Sequence, residues 1–316
     1  MKIVFVGDVH AQPHHLDECV SLFGLLRQVR SEHPESLFVF LGDQTHTHDV
    51  QSVRVLDFWR TVFSELDSLV IVGNHDQSVP GSAPHAMDSF QDVARVVWPT
   101  IRIGPAFFAS YCKERSQFAK NVAGEDGLLV CHQEVGGFAY ETGRVIEEGV
   151  DLPPRFAQVV SGHLHTPQES GRVWFPGSPR WLTLADANVQ ERAVWVAEIA
   201  ESGVISKRVP YQTAGVCRRV VSLTDTEDSP AELVVGADCR VLVRGTPDFV
   251  SRRRRELQAL GARVRGIIEG AAVPAVRESE GVEASLRTFA SGFQAPNGTQ
   301  PARLLELLRQ HTGLNL

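Results

Sequence analysis

Cysteine is scarce, with five in 316 residues. Cys19, Cys112, Cys131, Cys217 and Cys239 are odd in number, scattered, and without C-x-x-C spacing. That argues against a disulfide framework and a zinc finger, and predicts reduced thiols in a cytoplasmic setting. Long apolar runs are missing as well. No stretch approaches the roughly 18–20 apolar residues of a membrane span. The opening MKIVFVGDVHA turns to charge and histidine too soon for a signal peptide. Basic charge is short in the first two thirds, where residues 1–212 hold 17 Lys and Arg against 26 Asp and Glu. A groove-binding nucleic-acid module has the opposite footprint. Phosphate handled by this part must be held by local charge, and metal ions are a compact source of it. Residues 213–316 are different, with 14 basic residues against 12 acidic ones.

What is present is an ordinary globular composition, 43% apolar and 22% charged. The length suits one large domain and a small one. KIVFVG (2–7), LFVFLG (37–42), LVIVG (69–73), GLLVC (127–131) and QVVSG (158–162) read as strands buried on both faces. Residues 13–31 place Leu16, Val20, Phe23 and Leu26 on one helical face, and residues 50–66 do the same with Val53, Leu56, Trp59, Phe63 and Leu66. Strand–helix alternation predicts an α/β layered fold. RVWF (172–175) and AVWVAEI (193–199) lack helices between them and predict added antiparallel strands. Beyond the break at 210–217, CRVLVRG (239–245), FVSRRRRELQALG (249–261) and ARVRGIIEG (262–270) spell a β-α-β unit. Residues 271–300 read as a linker, and 301–314 as a short Leu-rich helix.

Each of the five strands runs into polar, metal-capable residues. These are Asp8-Val9-His10, Gly42-Asp43, Gly73-Asn74-His75-Asp76, His132, and Gly162-His163-Leu164-His165. Ligand sites of α/β sheets lie outside the carboxyl ends of the strands, so groups remote in sequence can converge there. The donor types fit two divalent ions. Asp8, His10, Asp43 and His165 can surround one, and Asp43, Asn74, His132 and His163 the other, with Asp43 bridging. A mixed His/Asp/Asn set suits manganese, iron or zinc better than an all-oxygen cage.

In that order the motifs resemble the calcineurin-like metallophosphoesterase superfamily over roughly residues 1–200, with Cys131 standing where a glycine is usual before the fourth motif's histidine. Phe175-Pro176-Gly177-Ser178-Pro179-Arg180 is similar to the P-G-S-P turn of SbcD-type nucleases. HQEVGGF (132–138), SGHLHT and PGSPRWLTLAD look most like the phage recombination-endonuclease branch. The resemblance implies a four-layer α/β/β/α sandwich over residues 1–212, a small DNA-capping domain over 213–272, and a linker and terminal helix over 273–316. It implies a DNA phosphodiesterase with exonuclease or endonuclease action, two manganese ions, and water activated between them as nucleophile. His75 would stand beside the metals to stabilise charge and protonate the leaving group, with Asp76 as its orienter or as a turn residue. His46 matches a second catalytic histidine, with His48 as its competitor for the role. Arg180, Arg252, Arg253 and Arg254 would meet the DNA backbone. The terminal helix would dock on an SbcC-type ABC ATPase, and the nuclease would pair as a homodimer in the cytoplasm, away from membranes. A phosphoesterase for small molecules or phosphoproteins is the rival reading, and a non-catalytic scaffold the third.

Overall fold

The computed structural model describes residues 1–183, 185–186, 191–225, 239–268 and 305–306. One six-stranded sheet contains β1 (Lys2–Val6), β2 (Leu37–Phe40), β3 (Ser68–Ile71), β4 (Arg95–Val97), β11 (Ala193–Ile199) and β12 (Ile205–Gln212), in the order β12-β11-β1-β2-β3-β4. A second contains β5 (Thr100–Ile103), β6 (Ala106–Ala109), β7 (Gly127–His132), β8 (Phe156–Gly162), β9 (Gln168–Ser170) and β10 (Val173–Phe175), in the order β5-β6-β7-β8-β10-β9. The five strands read from sequence are β1, β2, β3, β7 and β8. Within their sheets β1 to β4 run parallel, as do β6, β7 and β8. The segment 193–199 is the added antiparallel strand expected of it, pairing with β1. RVWF meets the expectation on one side only, since β10 runs antiparallel to β9 but parallel to β8.

Strand alternation builds the layers. Ile3, Phe5, Val39, Leu69 and Ile71 face the second sheet and pack with Phe108, Leu128, Val130, Val160 and Trp174. Their neighbours Val4, Val6, Phe38, Phe40 and Val70 face outward against α1 (Leu16–Glu32) and α2 (Val53–Glu65), whose Leu22, Leu26, Trp59 and Phe63 cover them. The outer face of the second sheet, with Phe107, Leu129 and Val159, is covered by Phe118 of α3 (Arg115–Asn121) and by Phe138 and Ile146 of a long loop. The result is the four-layer α/β/β/α sandwich.

A separate three-stranded parallel sheet, β13 (Val220–Thr224), β14 (Arg240–Gly245) and β15 (Arg263–Ile268), carries α4 (Pro247–Ala259) and has its own small core around Val241, Val243, Val250 and Leu257. Thr246 caps α4 by accepting from the Phe249 amide at 3.4 Å, and Pro247 opens its first turn. The linker, and the terminal helix apart from Leu305 and Glu306, lie outside the described residues. No described helix is long and apolar enough to cross a membrane.

Candidate metal centre

Because β1, β2 and β3 run parallel, their carboxyl ends open on one edge of the first sheet, and β7 and β8 open beside them in the second. In Asp8-Val9-His10 and His163-Leu164-His165 the middle residue turns into the core. The polar residues on either side are thereby left to the open edge. The His10 and Ala11 amides donate to the carbonyls of Asp43 and Gln44, both at 2.9 Å, which ties the first two strand ends together. Gly42, at φ +102, leaves room for the His132 ring, since a Cβ there would lie 2.3 Å from its Nδ1. Among the described residues, three non-glycines adopt positive φ: His10 (+48), Asp43 (+54) and His163 (+82). Such strain costs on the order of 1–3 kcal/mol per residue and gathers at functional sites.

The side chains form two groups around one carboxylate. Ligand atoms of Asp8, His10 and His165 lie within 4.8 Å of one another, and so do those of Asp43, His132 and His163. Asp43 divides its oxygens between them, with Oδ2 3.5 Å from His10 Nε2 and Oδ1 3.5 Å from His132 Nε2. His10 and His165 face each other Nε2 to Nε2 at 3.2 Å. His163 Nδ1 lies 3.3 Å from His132 Nε2, and both approach Asn74 Oδ1, at 2.9 and 3.0 Å. Two of these rings have their other nitrogen engaged. His132 Nδ1 donates to the Leu41 carbonyl at 2.7 Å, and His163 Nε2 to Glu134 Oε1 at 3.1 Å. Such bonds aim a metal-binding imidazole and set its tautomer.

Burial and like charge drive the titration of the centre. Burial pushes the Asp8 carboxyl up to about 8, helped by Asp43 and opposed by His132. Burial also acts to raise Asp43, but His132 and His10 outweigh it and hold that carboxyl well below its ordinary range. His132 is driven up to about 9 by Asp43 and Asp8 against the cost of burying its charge. His10 is held well below its ordinary value by burial. Two carboxylates this close do not both ionise without added positive charge. The donor set fits divalent cations on a second count: Asp8 Oδ1 is buried without a hydrogen-bond partner, although Oδ2 accepts from the His163 amide at 2.9 Å. Nitrogen and oxygen donors without thiolate match manganese, iron or zinc. The sequence-derived ligands Asp8, His10, Asp43, Asn74, His132, His163 and His165 therefore meet in one place.

His75 stands over this group, its ring 4.7 Å from that of His10. Its Nδ1 donates to the His46 carbonyl at 2.8 Å, which leaves Nε2 unengaged by that bond. Asp76 is a turn residue: Oδ1 accepts from the Thr45 amide at 3.0 Å and Oδ2 from the Gly73 amide at 3.0 Å, not from the His75 ring. His46 is exposed, with Nδ1 3.3 Å from His10 Nδ1, and it forms a third histidine group with His10 and His75. His48 stacks on His75 at 4.6 Å, so both histidines of the segment reach the site.

Arg180 corrects an expectation. Its side chain is 1% exposed and paired with Glu18 at 3.0 Å, and it donates to the Val9 carbonyl at 2.8 Å. It braces the His10 loop from inside and is closed to a DNA phosphate. The P-G-S-P turn likewise serves the centre from below, the Ser178 amide donating to the His165 carbonyl at 3.0 Å. On α4, Arg253 pairs with Glu256 at 2.9 Å, while Arg252 and Arg254 are exposed. Sequence reasoning missed Glu134, Tyr140 and Arg192. Tyr140 donates to Glu134, which accepts from His163, and buried Arg192 donates to the carbonyls of His165 and Ser178. The HQE triplet was the one available signal for Glu134. Cys131 points into the outer core, 3.6 Å from Ser161 Oγ.

Residues 1–167, more than half of the chain, match the model of the family described as "Calcineurin-like phosphoesterase". No curated protein matches the sequence. Among solved structures, the chain is similar to the calcineurin-like phosphoesterase YfkN from Bacillus subtilis, with 13% identity, a TM-score of 0.38, and coverage of 82% of this chain and 98% of that one. It is also similar to a 5'-nucleotidase precursor from Thermus thermophilus, with 13% identity, a TM-score of 0.40, and coverage of 67% and 54%.

Proposed function

The chain belongs to the calcineurin-like phosphoesterase family, and from that premise we propose that this metal-dependent phosphoesterase is a DNA phosphodiesterase, the nuclease subunit of a recombination or repair complex. The observation that carries the reading is the basic unit appended to the acidic sandwich. Residues 239–268 hold eight arginines against Asp248 and Glu256. This unit is tied to the segments that brace the centre. Arg240 donates to the Trp181 carbonyl at 3.1 Å, and the Arg218 amide donates to Glu18, the partner of Arg180, at 3.0 Å. A small monoester needs no such arginine-rich neighbour, whereas a polyanionic strand gains affinity with each phosphate neutralised. An SbcC-type ATPase and a second copy of the chain complete the proposal as partners.

Asp8, His10, Asp43 and His165 would hold one ion, and Asp43, Asn74, His132 and His163 the other. Bound there, two manganese ions supply charge to offset the phosphodiester and activation of water at neutral pH. His75, pinned through Nδ1, carries a proton at Nε2 for the leaving oxygen and stabilises charge on the phosphoryl group. His46 fixes His75 through its carbonyl and lines the same rim with its ring. Glu134 and the Leu41 carbonyl keep the His163 and His132 rings turned toward the centre.

The test offers purified protein labelled single- and double-stranded DNA beside a chromogenic phosphomonoester, with and without manganese. Manganese-dependent DNA cleavage that greatly exceeds monoester turnover is expected. Robust monoester turnover with intact DNA would establish a small-molecule or phosphoprotein phosphoesterase instead, and inactivity on both would establish a scaffold.

A further inference from the structure

Resting on the nuclease reading, we propose that the cleft between Trp98 and Tyr111 is a nucleobase subsite that seats the base beside the scissile phosphate. Topology places it there. The ligands leave the carboxyl ends of β1, β2 and β3 in one sheet and of β7 and β8 in the other. Both rows continue by one parallel strand. β4 lies beside β3 and runs out into Trp98-Pro99, and β6 lies beside β7 and runs out into Ser110-Tyr111. The open edge that gathers the metal ligands thus extends, without interruption, into an aromatic cleft.

The cleft has a volume of about 290 Å³ and is lined by Pro80, Trp98, Pro99 and Tyr111. That is at the small end of ligand pockets and is room enough for one flat ring system. Its inner wall is shared with the centre, because the Tyr111 ring stacks on His163, 6.1 Å between centroids and 20° between planes. The Tyr111 ring is therefore a wall that a group in the cleft shares with the metal centre. Trp98 is 37% exposed, although most large aromatics of the sandwich are buried. At the rim, Lys113 is exposed and makes no ion pair among the described residues, and the Gln117 and Asn121 amides supply donors and acceptors. Proline and aromatic walls with a single cation, Lys113, offset by the Glu114 carboxylate in the same lining, do not suit a second phosphate. They suit the π-face of a base, whose stacking on an aromatic ring tolerates any sequence.

The experiment couples the cleft to the base. A short oligodeoxynucleotide and a twin with one abasic residue next to the cleaved bond are offered to the wild type, Trp98→Ala and Trp98→Phe. The wild type is expected to cleave the abasic twin with kcat/KM lower by about tenfold, within the range of one base–aromatic stack. In Trp98→Ala the intact oligonucleotide should fall to the abasic value while the abasic twin is cleaved as by wild type, which shows the metal centre undisturbed. Trp98→Phe should restore most of the preference. Equal cleavage of both substrates by wild type, or equal loss on both in Trp98→Ala, would overturn the subsite. If no DNA is cleaved, the nuclease reading fails by itself. The same comparison then runs with a nucleoside monophosphate against ribose 5-phosphate. A base preference that disappears in Trp98→Ala upholds the subsite, and no preference in wild type overturns it.

Discussion

Replacing Arg180 by methionine separates a buried brace from a DNA contact. The guanidinium and the Glu18 carboxylate are both 1% exposed and 3.0 Å apart. Arg180 Nη1 also donates to the carbonyls of Val9 and His10, at 2.8 and 3.4 Å. Methionine fills the volume but leaves Glu18 as a buried carboxylate whose remaining hydrogen bond among the described residues comes from the Arg218 amide. Removing one partner of such a pair costs about 3–5 kcal/mol. Adding Glu18→Gln removes the stranded charge and keeps an oxygen for the Arg218 amide. The double variant should then recover part of the loss, with a coupling of about 1–3 kcal/mol. Denaturant unfolding followed by tryptophan fluorescence measures both, and fluorescence anisotropy measures DNA affinity on the same preparations. If Arg180→Met lies within about 0.5 kcal/mol of wild type while DNA affinity collapses, the guanidinium meets solvent and phosphate, and the brace is wrong.

His75→Ala should lower turnover by about 10²–10⁴-fold while elemental analysis finds the metal content of wild type. Loss of metal would make His75 a ligand. Glu134→Gln should weaken metal affinity by roughly 10–100-fold, read by chelator competition, and unchanged affinity would detach Glu134 from the His163 ring. Stability of the chelator-treated protein should fall as pH rises from about 6.5 to 9. Asp8, raised to about 8 by burial, and His132, raised to about 9, both hold a proton in the folded chain that the unfolded chain has released by that window. Their contribution is present at low pH and lost through those values, while Asp43 and His10 are already deprotonated there. Added manganese, which takes the place of those protons, should cancel the fall in a calorimetric scan. A midpoint that stays level or climbs without metal would show that Asp8 and His132 are not raised.

Local information in the chain was enough for a layered α/β fold and for the metal-capable residues at its strand ends. Buried parallel strands are written as unbroken apolar runs, such as LFVF in β2 and LVI in β3. Metal-capable residues follow each run closely, so both the element and its chemistry are read from a few neighbouring positions. Short strands escaped. β4 and β5 are three and four residues long with mostly half-buried or exposed side chains; pairing makes them strands rather than pattern, β4 with the distant β3 and β5 in a tight hairpin with β6. The same non-locality hid Glu134, Tyr140 and Arg192, whose meaning lies in the rings and carbonyls they reach across the fold.

By itself the sequence determined which residue types stand at five strand ends and hence the class of chemistry, because strand burial and donor identity are properties of adjacent residues. Only the tertiary structure decided that Arg180 is an internal brace, that Glu134 and Arg192 reach the histidines of the centre, and that Trp98 and Tyr111 line one cleft. Those outcomes depend on which strands lie next to each other and on which charges are shut away from water, and neither is a property of any short stretch of chain.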